Sequence, residues 1–148
     1  MIYSYLHEYS DAPDKYCKWS CQIRIEDNYW LRFYIYKNNK KLLKGATDRM
    51  FAEDGFLDSA GYFFAHYSEK VQFPFAFPKQ VIFAEIHLEK KMMGAGYFTH
   101  ELTHFLEAWM STRPEDMEAE YAPTLMGRLT TNFWDWYYDN VDNKAEPK

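Results

Sequence analysis

Apolar and polar positions alternate clearly in two stretches of the chain. Cys21-Gln22-Ile23-Arg24-Ile25-Glu26 places an apolar residue at every second position, the pattern of a strand with one buried face. Asp27-Asn28 reads as a turn and the aromatic-rich run from Tyr29 to Tyr36 as a second strand, so the pair predicts a hairpin. Val81 to Leu88 predicts another strand: Ile82, Ala84, Ile86 and Leu88 form a wholly apolar face, while Val81, Phe83, Glu85 and His87 form one that turns polar towards its end. Elsewhere in this half the pattern is weaker. Residues 1–19 show no clear period, and Asn38-Asn39-Lys40-Lys41 reads as a polar turn. Residues 41–70 are ambiguous, punctuated by Gly45, Gly55 and Gly61. In Gln72–Pro78 phenylalanine alternates with other residues, but two prolines bar a central strand and predict an edge or extended loop.

The period changes in the second half. Met92-Met93-Gly94-Ala95-Gly96 breaks the chain ahead of a helix over about Tyr97 to Met110. Ser111, Thr112 and Pro114, followed by acidic residues, mark a new helix start. That helix is expected to continue to about Tyr138, with Pro123 as a kink or a restart. The charged stretch from Asp139 is expected to fray. Strands first and helices last predict one α+β domain over residues 1–138, with 139–148 as a tail.

Composition narrows the class. With 148 residues, 47% hydrophobic and 26% charged, the chain can bury a core without disulfide or metal staples. The aromatic share of 20% is high enough that some rings are expected to line a cleft or meet a partner. A net charge of -5 argues against nucleic-acid binding, which calls for a basic patch. No apolar run approaches the ~20 residues of a membrane span, and Met1-Ile2-Tyr3-Ser4 lacks the features of a signal peptide. A soluble protein of the cytoplasm, with no membrane partner, is therefore expected. Cys17 and Cys21 stand as C-x-x-x-C without a second Cys or His pair nearby, which predicts reduced thiols rather than a zinc knuckle.

The chemistry concentrates in His100-Glu101-Leu102-Thr103-His104. Residues four apart share one face of a helix, so two imidazoles can hold one metal ion. Glu101 is placed to take a proton from a water that attacks a carbonyl. This is the H-E-x-x-H arrangement, expected by chance in a chain of this composition at a frequency of roughly 0.01. The plain alternative is two surface histidines on a helix. Catalytic zinc needs a third protein ligand and an open position, and Glu115, Asp116, Glu118 and Glu120 follow. Helical steps from Glu118 reach Tyr121, Ala122, Leu125, Leu129, Phe133 and Trp136, an apolar stripe, whereas steps from Glu120 reach Thr124, Gly127, Arg128 and Thr131. A carboxylate on a buried stripe must be paired or bind metal, which selects Glu118. If Pro123 restarts the helix, Glu120 becomes the rival. The competing view of Glu118 is an acidic first turn favoured by the helix dipole.

These residues carry a resemblance. His100-Glu101-x-x-His104 with a glutamate on the next helix resembles the gluzincin-type zincins. Glu85-Ile86-His87-Leu88, Gly94-Ala95-Gly96, the histidine motif, and Glu118 to Leu129 together are similar to a family of small zinc metallopeptidase-like proteins encoded in phages and prophages. The likeness covers about residues 80–138. It implies a zincin-like α+β fold, a Zn2+ cofactor and cleavage of a protein or peptide substrate in the host cytoplasm. It also implies that Val81–Leu88 borders the cleft and pairs with an extended substrate. Two departures bear on the third ligand: Ala119 interrupts a glutamate pair, and Pro123 is unusual.

Lesser candidates are Glu85 and His87, read as a surface pair or as substrate contacts, and Tyr97, read as a core aromatic or an oxyanion donor. Trp109, Trp134 and Trp136 read as core, and Glu107 as solvated. Three functions are open at this point: a zinc peptidase, a zinc-bearing protein that binds a host protein without catalysis, and an interaction domain with no metal.

Overall fold

Alternation builds the sheet. The computed structural model describes residues 6–8, 12–26, 29–48, 61–68, 80–111 and 118–142. Strand β2 (Cys17–Glu26) buries Cys21, Ile23 and Ile25 and leaves Arg24 exposed. It pairs antiparallel with β3 (Tyr29–Tyr36) in the register Cys21↔Phe33 and Ile23↔Leu31, the expected hairpin. A bulge between Cys17 and Trp19 adds a residue and shifts the phase of β2. Cys17 and Cys21 therefore pack into clusters on opposite faces, and they do not form a disulfide with each other.

Short β1 (Leu6–Glu8) pairs with β2, β4 (Gly61–Ser68) lies at the far side, and β5 (Gln80–Glu89) sits between β3 and β4. The order β1-β2-β3-β5-β4 is antiparallel except for β3 with β5, which makes the sheet mixed. β5 is paired on both sides, so it cannot take up a substrate strand as the resemblance implied. The expected turn at Asp27-Asn28, the extended segment over 72–78 and the helix start over 112–117 lie outside the described residues.

Helices α2 (Ala95–Met110) and α3 (Tyr121–Asn140) cover one face. Ala84, Ile86 and Leu88 meet Phe98, Leu102, Phe105 and Trp109 from α2 and Leu125, Leu129, Phe133 and Trp136 from α3, with Trp134 packed at the edge. The centre is aromatic: Phe98 and Phe133 stack at 4.3 Å between centroids, and Phe33 lies 4.6 Å from Phe133. Polar groups pin the helix ends. Tyr121 Oη accepts from Trp109 Nε1 at 2.8 Å and donates to Glu26 Oε2 at 3.0 Å, while Arg128 donates to the carbonyls of Arg24 and Ile25.

Three expectations are corrected. Asn38–Lys41 is not a turn but the start of α1 (Asn39–Asp48), because Asn38 Oδ1 accepts from Lys41 N at 3.0 Å and caps the helix. A helix thus stands between β3 and β4, so strands do not all precede helices. α3 starts at Tyr121 with Pro123 in its first turn, where a missing N–H costs nothing, so of the two expected roles for Pro123 the restart holds and the continuous helix with a kink does not. Its far end runs to Asn140, and Val141 is buried with its N–H on the Tyr137 carbonyl at 2.8 Å; the rest of the expected tail, 143–148, lies outside the described residues.

α1 lies on the second face, where Leu42 and Ala46 pack with Tyr34, Tyr36 and Tyr62. A Cβ at Gly45 would collide with the Asp14 carboxylate. That carboxylate cannot swing away cheaply, because it accepts hydrogen bonds from Tyr16 N, Cys17 N and Tyr36 Oη. In an open helix Gly→Ala stabilises by ~1 kcal/mol. Here Gly45→Ala should destabilise by about 1–3 kcal/mol through overpacking. Urea denaturation checks this, and a gain in stability would show that α1 is not seated against Asp14.

Candidate metal centre

α2 begins after Gly94, which is extended at φ -175° and ψ 167°. Its apolar residues Phe98, Leu102, Phe105 and Trp109 recur at helical spacing and turn one side to the sheet. That phase throws His100 and His104 onto the outer side, where both are exposed, and leaves Glu101 on the flank. The imidazole rings stand 4.9 Å apart, centroid to centroid, edge to face. Two imidazoles holding one tetrahedral zinc at ~2.0–2.1 Å have centroids roughly 5 Å apart, so the ring spacing is compatible with a shared ion.

Glu101 differs from its neighbours: it is 6% exposed, whereas the His100 side chain is 69% exposed. Burial raises the Glu101 carboxyl above its ordinary value, and His100 and His104 pull it partly back. Its Oε1 lies 3.9 Å from His100 Nε2. A buried carboxyl beside two imidazole rings is a suitable proton acceptor, since desolvation strengthens it as a base.

The third ligand is another matter. Glu118 and Glu120 are both exposed in the turn ahead of α3, not on its buried stripe. Leu125, Leu129, Phe133 and Trp136 are buried as the stripe requires, but the helix starts after Glu118, so the stripe argument does not reach it. Among the described residues, no three His, Cys, Asp or Glu side chains gather to hold a metal. The structure therefore brings together His100, Glu101 and His104, and does not bring Glu118 to them.

Tyr97, one turn before His100, has its hydroxyl on the sheet: Oη accepts from Glu89 N–H at 2.9 Å. Burial raises its phenol, and the Glu89 and Glu101 carboxylates add to the shift. Gly61 makes room for this contact, since a Cβ there would lie 2.8 Å from Tyr97 Oη and 2.9 Å from the His87 carbonyl. Tyr97 thus ties α2 to the end of β5 beside Glu101. Glu85 and His87 are not a surface pair. They are 4% and 0% exposed, on the sheet face away from α2. Their partners Tyr36 and Asp14 were not foreseen, since nothing local in the sequence links positions so far apart. A surface cleft of about 470 Å3, lined by Lys90, Met93, Gly94, Trp134, Tyr137 and Tyr138 among others, lies near the start of α2 and does not include the histidines.

Comparison of the chain with protein-family models, curated proteins and solved structures finds no match. Among the described residues, no helix is long and apolar enough to cross a membrane.

Proposed function

We propose that the chain is a zinc-dependent, metallopeptidase-like hydrolase that cleaves a peptide or amide bond in a protein or peptide substrate. One observation carries this reading: the His100 and His104 rings stand 4.9 Å apart with the buried Glu101 carboxyl between them in sequence and beside them in space. The order β5, α2, α3 supports a zincin-like reading of the α+β domain. His100 and His104 would hold the ion. Zinc supplies Lewis-acid polarisation of a carbonyl and of water. Glu101 takes the proton of the attacking water and passes it to the leaving amine. Glu118 is the proposed third ligand on the resemblance alone. A phage origin would put the substrate in the host cytoplasm.

A second reading is a zinc-bearing protein that holds a host protein without cleaving it. The exposure of both histidines and the lack of a gathered three-ligand group among the described residues favour it. Both readings require the ion. Protein purified without added metal should carry about one zinc per chain by elemental analysis. His100→Ala and His104→Ala should each lose most of it. Zinc-free wild type, or full occupancy in both variants, would overturn the assignment.

A further inference from the structure

The second face of the sheet holds a buried polar chain that the proposed hydrolysis does not use. His87 Nε2 lies 2.8 Å from Glu85 Oε1, and His87 Nδ1 lies 2.9 Å from Tyr36 Oη. Tyr36 Oη donates in turn to Asp14 Oδ2 at 2.9 Å. Asp14 Oδ1 accepts from the backbone N–H groups of Tyr16 and Cys17.

Proton counting gives this chain a direction. Tyr36 has one hydroxyl proton, and Asp14 receives it. Burial, with Tyr62, Asp14 and Cys17 close by, holds the phenol far above its ordinary value, so it stays a donor. Its oxygen must then accept from a proton on His87 Nδ1. The remaining link, Nε2 to Oε1, needs one proton, either on the ring or on Glu85.

Two features place it on the ring. Arg32 of β3 is the register partner of Glu85, which sets a basic residue on the same face of the sheet as the carboxylate. Tyr34 and Tyr62 are the register partners of His87 on its two sides, and their rings stack on the imidazole at 4.8 Å and 4.2 Å. Two aromatic faces, the Glu85 carboxylate at Nε2 and the Tyr36 hydroxyl accepting at Nδ1 favour a cation in that slot. The far end of the chain touches α1: the Asp14 carboxylate is seated against Gly45, beside Leu42 and Ala46.

We propose that Glu85, His87, Tyr36 and Asp14 form a proton-dependent latch that seats α1 on the sheet, with both ring nitrogens of His87 protonated when the latch is closed. Losing one ring proton leaves one of the two links without its donor: either Nε2 meets the Glu85 carboxylate bare, or Nδ1 no longer donates to Tyr36 and the run to Asp14 is broken. The ionisable groups facing this slot among the described residues are Arg32, Tyr34 and Tyr36 from β3, Tyr62 from β4, Glu85 and Glu89 from β5, and Asp14 and Cys17 from the strand β2 side. α1 presents Leu42, Gly45 and Ala46 there, while Lys40, Lys41, Lys44 and Asp48 face solvent. His87 gains its partners only on folding. The latch is therefore closed while the ring holds both protons, and its stabilisation falls as rising pH removes one of them.

The test is 15N NMR of the full chain labelled at histidine and at backbone amides, followed from pH 6 upward. His87 should keep both ring protons at pH 8, where a free imidazole is more than nine-tenths neutral. At higher pH its loss of charge should share a midpoint with shifts of the Leu42, Gly45 and Ala46 amides, while those of Phe98 and Phe133 hold still. Glu85→Gln should weaken proton binding by His87 at least tenfold. Tyr36→Phe, which keeps the ring, should do the same and covers the case in which Glu85→Gln does not fold. A His87 with a single ring proton at pH 8, or α1 amides that ignore its titration, would overturn the latch.

Discussion

Glu101→Gln should leave the protein folded and zinc-loaded while slowing hydrolysis by about 10²–10⁴-fold, the usual contribution of a positioned proton acceptor. The substitution keeps the shape of the side chain and removes only its ability to take a proton. Because Glu101 is already raised by burial, an uncharged amide there should cost the fold little. Glu118→Gln should behave differently if Glu118 is a ligand, weakening zinc binding together with turnover. Zinc content, melting temperature and peptide hydrolysis measured on wild type and both variants separate the roles. A Glu101→Gln protein that is folded, zinc-loaded and as active in cells as wild type would remove the peptidase reading and leave the binder.

Phe133→Ala should lower the unfolding free energy by about 3–5 kcal/mol, the range for deleting a fully buried aromatic ring. Phe133 is the meeting point of the main core. Its ring contacts Phe33 of the sheet, Phe98 of α2, and Trp134, Trp136 and Tyr137 of its own helix. Those neighbours belong to three elements that cannot all relax inward, so most of the cavity should persist. Urea midpoints at an unchanged slope would read the loss. A loss below about 1 kcal/mol would mean that α3 is not packed through this ring.

The parts of this fold that were legible are those set by a local period. Cys21–Ile25 and Ala84–Leu88 alternate because one face of each strand meets α2 and α3, and Phe98 to Trp109 repeats at helical spacing for the same reason. α1 was hidden because asparagine serves both polar turns and helix caps, and only the bond from Lys41 N to Asn38 Oδ1 decides between them. The parallel pairing of β3 with β5 joins residues far apart in sequence, and no local pattern encodes it. Alternation correctly set Glu85 and His87 against Ile86 and Leu88, but whether that face meets water or another helix depends on α1. At the candidate site, His100, Glu101 and His104 were legible because one helix fixes their relation. Glu118 was not, because a proline can kink a helix or begin one, and Pro123 lies in the first turn.

The central claim is that one zinc ion sits on the outer side of α2 with a position open for chemistry. Crystals of the protein purified with its native metal, measured on both sides of the zinc absorption edge, test it most directly. A single anomalous peak is expected within coordination distance of the His100 and His104 imidazoles, with a carboxylate of the chain as third protein ligand and a fourth position not taken by protein. A peak away from these two histidines, or no peak in protein that remains folded, would contradict it.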